Sequence, residues 1–384
     1  MVVVGLLGVP PIPAGPPASA AVDVGAANQR IADATIMVRG KIFGATNSGL
    51  QEKIYRWPNV FDPSTYDTLA PASVFFINCG GCCYDAVNNY IYWCAVDFNF
   101  GAGANQLYVV RTNPDTFTDG GTPIAGLSIG TASFGDLGVA SAIDTDGTYV
   151  YCVVCDQSQN SWVGKCQLNN TLAASIQLPD PGGGGNSKYG SVIQLGGDGY
   201  VYVAGGTSFT GNLWACRIDT ATLTSVTSIE ITGTILNDDW VLDANYFWLG
   251  EESSSLPGTI YRVNRDMSSY TTIQTGIEGW VDCLYPDPDG QRIWVVQNQL
   301  SGTGTPSAIF AIDKTGAIVT PVIRTSQLCS ASTDLNEIFK ITDGAFFGIT
   351  FNFSATGKSK AAIIPIFSDP GLVAKPLRGR GASW

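Results

Sequence analysis

Short runs of apolar and aromatic residues, bounded by polar turns, make up most of this chain, and one run returns seven times. Its cores are Ile42-Phe43, Tyr90-Ile91-Tyr92-Trp93, Tyr149-Val150-Tyr151, Tyr200-Val201-Tyr202, Tyr246-Phe247-Trp248, Ile293-Trp294 and Phe346-Phe347. Taking positions 42, 91, 150, 201, 247, 293 and 346, the steps are 49, 59, 51, 46, 46 and 53 residues. A period in that range is the size of one four-stranded propeller blade. β-Branched and aromatic residues in such runs fit strands that pack on both faces. No long segment shows helical periodicity.

A second repeat follows the first. Each core is succeeded by another apolar run: Ile54–Trp57, Leu107–Arg111, Val163–Gln167, Leu213–Arg217, Ile260–Val263, Ile309–Asp313 and Ala361–Ile364. Tight-turn chemistry comes after most of them, as in Asn113-Pro114-Asp115-Thr116, Asp219-Thr220-Ala221-Thr222 and Asp313-Lys314-Thr315-Gly316. Asn, Asp and Gly tolerate tight-turn backbone angles, and Asn and Asp also hydrogen-bond their own main chain. Hairpin signals precede most of the cores: Asn88-Asn89, Asp144-Thr145-Asp146-Gly147, Gly196–Gly199, Asp243-Ala244-Asn245, Asp287-Pro288-Asp289-Gly290 and Asp343-Gly344.

The pattern resembles the YVTN and kelch-like group of propellers over residues about 35 to 374, or about 49 residues per blade. The resemblance implies an all-β, seven-bladed β-propeller. The Trp-Asp and His signatures of WD40 blades are missing. The division expected is an extended Pro/Ala-rich arm over 1–33, the propeller over 34–374 and a basic tail over 375–384. Closing the ring must hide its first and last strand edges. The expectation is that residues near 29–38 complete the blade formed by 338–374.

Composition then narrows the function. Lys and Arg number 20 against 32 Asp and Glu, a net charge of −12 with no histidine. An acidic chain with few clustered cations is a poor match for the nucleic-acid backbone. Without histidine, Ser-His-Asp triads, Cys-His dyads and His-ligated metal centres are excluded. Ten cysteines fall mostly within the predicted strands, where free Cys behaves as a small buried apolar residue. Cys79-Gly80-Gly81-Cys82-Cys83 and Cys152-Val153-Val154-Cys155 resemble halves of a zinc knuckle, but Cys152 and Cys155 lie on opposite faces of an extended strand. The expectation is reduced structural thiols, with Cys166 and Cys216 at equivalent places in consecutive blades. Such thiol usage fits folding in a reducing cytoplasm.

Asp144-x-Asp146-Gly147 and Asp287-x-Asp289-Gly290 look like fragments of calcium loops, but they stand where hairpins need Asp and Gly. The adjacent acidic pairs Asp238-Asp239 and Glu251-Glu252 would suit a cation at a propeller mouth, or a solvated loop. No catalytic residue, metal or cofactor is expected.

The termini carry the functional expectation. Residues 1–33 open on an apolar run, continue through Pro10-Pro11-Ile12-Pro13, and include Ala18-Ser19-Ala20, which resembles a signal-peptidase site without a basic leader before it. The run is too short and Pro-broken to span a membrane. The last residues, Lys375 to Trp384, are basic and end in an aromatic. Val3, Leu6, Leu7, Val9, Ile12, Arg378, Arg380 and Trp384 are the partner-binding candidates. They fit a non-enzymatic structural and binding protein of a large assembly. The expected setting is a bacteriophage virion, as a tail, neck or head-associated component made in the host cytoplasm. Its arms would clasp other virion subunits or contact a receptor, with multiple copies in a symmetric particle. The plan is similar to the propeller domains of podophage tail nozzles. Two alternatives stand beside this: a secreted or periplasmic propeller binding a ligand at its funnel, and a lyase or hydrolase using Asp, Tyr and Arg around the channel.

Overall fold

The structure is a computed structural model, which describes residues 22–24, 31–46, 53–70, 77–97, 106–119, 140–155, 161–168, 172–178, 188–207, 213–231, 236–251, 257–287, 290–298, 307–320, 322–324, 333–352 and 359–365. These form seven four-stranded antiparallel sheets. From the axis outward, blade 1 comprises Ile31–Val38, Lys41–Thr46, Ile54–Trp57 and Asp67–Leu69; blade 2 comprises Ile77–Asp85, Tyr90–Asp97, Gln106–Asn113 and Thr118–Asp119. Blade 3 has Ala140–Thr145, Tyr149–Cys155, Ser161–Gln167 and Leu172–Gln177; blade 4 has Lys188–Leu195, Tyr200–Thr207, Leu213–Asp219 and Val226–Ile231. Blade 5 has Leu236–Leu242, Tyr246–Glu251, Pro257–Asn264 and Tyr270–Glu278; blade 6 has Trp280–Pro286, Arg292–Asn298, Ala308–Asp313 and Ile323–Arg324. Blade 7 is built from Thr333–Thr342, Ala345–Asn352 and Ser359–Pro365, with Val22–Val24 as its outer strand.

The first strands of successive blades touch in chain order, and that of blade 7 touches that of blade 1. The molecule is therefore a closed seven-bladed β-propeller. Its second strands are apolar in nearly unbroken runs because each is covered on both faces by neighbouring blades. Ile42, Ile91, Val150, Val201, Phe247, Ile293 and Phe346, one at the same place in each blade, are all fully buried. Among the described residues the apolar interior forms seven clusters, each lying at one seam between consecutive blades. Full burial of a Trp, Phe or Leu there contributes about 1.5–3 kcal/mol or more. Trp57, Trp93, Trp214, Trp248 and Trp294 carry the largest such loads.

Closure works as a principle but not at the expected residues. Val22, Asp23 and Val24 pair antiparallel with Ala361, Lys360 and Ser359 and complete blade 7. Ile31–Val38 is instead the innermost strand of blade 1, paired with Lys41–Thr46. The ring thus takes in 22–24 and 31–33, which the sequence pattern had placed in the arm. A three-residue strand carries too little alternation to be recognised, and its partner lies at the other end of the chain.

Every innermost strand also breaks register against the second strand, between Ile31 and Thr35, Cys79 and Gly81, Ala140 and Ile143, Gly190 and Val192, Leu236 and Trp240, Val281 and Cys283, and Leu335 and Glu337. Such bulges bend a strand and raise its twist. Their recurrence at one level is a property of the ring.

Candidate functional site

A four-stranded meander alternates its connections between the two ends of the ring. The turns joining first to second and third to fourth strands share one face, and their chemistry repeats. Asp85, Asp146, Asp198, Asp243 and Asp287 stand in the first turn of blades 2 to 6. Each accepts from an aromatic side chain on its own second strand: the Tyr92 hydroxyl at 3.2 Å, Tyr151 at 3.1 Å, Tyr202 at 2.8 Å, Trp248 Nε1 at 2.8 Å and Trp294 Nε1 at 2.9 Å. The carboxylates also collect turn amides, as Asp146 does from Thr148 and Tyr149 and Asp243 from Asn245 and Tyr246. This is turn chemistry. Among the described residues no group of three or more Cys, Asp or Glu side chains is placed to hold a metal.

The next blade then supplies a cation. Arg265 reaches from blade 5 to Asp198 at 3.0 Å, the Gly196 carbonyl at 2.6 Å and the Tyr202 hydroxyl at 3.0 Å. Lys314 of blade 6 reaches Asp243 at 2.8 Å, and Lys340 of blade 7 reaches Asp287 at 2.9 Å. A second set starts on the third strands, where Arg56, Arg111, Lys165, Arg217 and Arg262 face the aromatic position of the second strand. Lys165 donates to the Thr220 carbonyl at 2.7 Å and Arg262 to that of Lys314 at 2.6 Å, each crossing to the following blade. Lys165, Arg217 and Arg262 lie over the rings of Tyr149, Tyr200 and Tyr246 at 4.2, 4.6 and 4.7 Å, which adds a cation–π attraction. In blades 6 and 7 the same position holds Ala311 and Ile363.

These pairings decide what the side chains can do. Burial and the adjacent Asp push the phenols of Tyr92 and Tyr151 well up, and burial raises Tyr202. Asp243 is pushed up by burial but held below the usual range overall by donors from Lys314, Asn245, Trp248 and Tyr246. A phenol locked as a donor and a carboxylate locked as an acceptor are poorly placed for proton transfer. One carboxyl goes the other way. Asp144, on the innermost strand of blade 3, is pushed up to about 6 by burial, although it accepts from Leu195 N–H of blade 4 at 2.7 Å.

The opposite end of the ring holds a second feature. The bulges place Asp33, Asp238 and Asp239, Asp282, and Asn336 with Glu337 at one level on the innermost strands of blades 1, 5, 6 and 7. The bulges of blades 2, 3 and 4 carry Gly80, Ser141 and Ser191. Acidic positions therefore occupy one contiguous arc of the inner ring. The register of blade 5 also brings the two acidic pairs of the sequence together, since Leu236 pairs with Glu251 and Asn237 to Asp239 bulge opposite Gly250; Glu252 lies outside the described residues. Glu251 is buried and accepts from Tyr261 at 3.1 Å. Asn298, also buried, donates to Asp282 and to the Leu335 carbonyl, and accepts from Ser307 Oγ at 2.5 Å.

Cys82, Cys83, Cys94, Cys152, Cys166 and Cys216 form no disulfide. Cys83, Cys94, Cys152 and Cys166 share the core between blades 2 and 3. Burial raises Cys94 to about 12 and also raises Cys82, Cys83 and Cys216; Cys152 is raised first by its Cys166 neighbour and then by burial. Cys166 and Cys216 are not equivalent. Cys166 pairs with the second residue of its neighbouring strand and Cys216 with the fourth, although both face the preceding blade.

All eight partner-binding candidates, Val3, Leu6, Leu7, Val9, Ile12, Arg378, Arg380 and Trp384, lie outside the described residues. The sequence reading missed the inter-blade cations. Their signal was present, because Arg56, Arg111, Lys165, Arg217 and Arg262 recur at one place in the second repeat.

No family model matches the chain, and no curated protein sequence matches it. Solved structures do. The polysaccharide lyase Uly1 is similar at a TM-score of 0.51 and 10% identity, covering 90% of this chain and 92% of that one. A Bacteroides fragilis protein, provisionally named a 6-phosphogluconolactonase, is similar at a TM-score of 0.53 and 13% identity, covering 86% of this chain and 98% of that one. At such identities the likeness is one of fold.

Proposed function

We propose that this propeller is a non-enzymatic structural and binding protein of a large assembly, a bacteriophage virion component that contacts its neighbours through the terminal arms. The observation that carries the non-enzymatic part is the commitment of the ring's ionisable groups. The latch cations tie blade to blade, and the phenols are bonded to the turn carboxylates of their own blades. With no histidine in the chain, the described carboxyl raised toward neutrality is Asp144, and it is buried and accepts from Leu195 N–H. Propeller relatives by fold include proteins named as a lyase and a lactonase, so the catalytic alternative is open to direct test. Purified protein is expected to cleave no polysaccharide and to open no lactone; turnover that survives repurification rejects the reading. The virion part is tested by mass spectrometry of particles from the native source, where the chain should be present at fixed stoichiometry.

One observation favours the secreted ligand-binding reading. Cleavage after Ala20 would leave a chain starting one residue before Val22, the first residue of the closing strand. Sequencing the N-terminus of the natural protein separates the two: Met1 supports the assembly component, Ala21 the secreted binder.

A further inference from the structure

Blade 7 is the one blade whose outer strand comes from the far end of the chain. In the other six, that strand follows its neighbour in sequence. Val22–Val24 pairs with only three residues of the seven-residue strand Ser359–Pro365. Val24, 1% exposed, packs into the core shared by blades 7 and 1, while Asp23 faces solvent opposite Lys360.

We propose that this strand is exchangeable, so that Val22–Val24 of one copy completes blade 7 of a second copy. Three features support it. First, the seam does not depend on the strand alone. Ile31 N–H donates to Ser359 Oγ at 2.8 Å, and that hydroxyl donates to the Ile31 carbonyl at 3.4 Å. The innermost strand of blade 1 also touches the first two strands of blade 7 directly. Blade 1 stays docked when Val22–Val24 leaves. Second, six residues, 25–30, separate the strand from Ile31 in sequence, and six residues of extended chain span up to about 20 Å. That length allows the strand to lie on its own blade or on an adjoining molecule. Third, exchange reproduces the same pairs in trans and needs no new interface, so crowding of copies decides the outcome. The inference deepens the assembly reading and rests on it for the crowding, but it is tested on the purified chain.

The test uses Asp23→Cys and Lys360→Cys, made singly and together. The double variant, oxidised with glutathione disulfide when dilute, should form a disulfide between positions 23 and 360 within one chain. The two single variants, folded separately, mixed at high concentration and then oxidised, should give a linked dimer. Mass spectrometry should identify the cross-linked peptide that joins position 23 of one chain to position 360 of the other. Its yield should rise with concentration. A link in the double variant with none between the mixed singles overturns the proposal, as does a double variant that forms no link. A linked dimer in a protein absent from particles keeps strand exchange and removes the virion reading.

Discussion

Replacing Asp287 by Ala should weaken the seam between blades 6 and 7 more than removal of any exposed charge. Asp287 is 2% exposed and holds three donors: Lys340 at 2.9 Å, Trp294 Nε1 at 2.9 Å and Arg292 at 3.1 Å. Removing one partner of a buried ion pair costs about 3–5 kcal/mol, because the other charge stays behind. The orphaned indole N–H adds about 1 kcal/mol. Arg292 is one-third exposed, and water takes over most of its share. The sum is about 4–6 kcal/mol. A ring that spans residues 22–365 has an unfolding entropy of about 0.7 kcal/mol per kelvin at its midpoint. The expected fall in Tm is therefore about 6–9 °C by calorimetry. The control is Asp343, which pairs with the same Lys340 at 3.1 Å but is 90% exposed. Asp343→Ala should cost under 1 kcal/mol, about 1 °C. Equal losses in the two variants, or a Tm within 1 °C of the parent for Asp287→Ala, would refute the reasoning that burial sets the value of these latches.

Asp144→Asn should raise stability at pH 8 and change it little at pH 4. The folded pKa of about 6 lies above the unfolded value, so the favourable protonated form is lost as pH rises through 6, at a cost on the order of 2–3 kcal/mol; an equal shift in Tm at both pH values argues against it. Neither reductant nor chelator should move Tm by more than about 1 °C, because Cys83, Cys94, Cys152 and Cys216 are buried and their thiols raised; a drop of many degrees would point to a disulfide or structural metal, worth several kcal/mol. Deleting residues 2–20 should leave Tm unchanged, whereas deleting 2–24 removes Val24 and three strand pairs and should cost about 2 kcal/mol after the entropy of ordering is subtracted. Identical melting of the two truncations would contradict the closing role of Val22–Val24.

The blade count was legible because second strands face two neighbours. Ile91, Val201 and Phe247 must be apolar on both sides, so their runs stand out at any register. The turns were legible because Asp146 and Asp243 do locally what Asp does in any hairpin. The innermost strands were harder to read, since a bulge in each one breaks the period-two alternation. The latches were hidden for another reason. A pair such as Lys314 and Asp243 is 71 residues apart, and only the ring brings them together. The acidic arc has the same origin. Asp33, Asp239 and Asp282 show no common spacing in sequence, yet they share one level of the inner ring.

The central claim is that the ring is self-sufficient and the arm makes the contacts. Because Val22–Val24 belongs to the ring, the decisive truncation ends before it. Tagged full-length protein and a form lacking residues 2–20 should be produced side by side in the native host, and the particles purified and quantified by immunoblot. The full chain should be incorporated, and the truncated one should remain a folded, soluble propeller outside the particles. Incorporation of the truncated protein at the full-length level would contradict the claim.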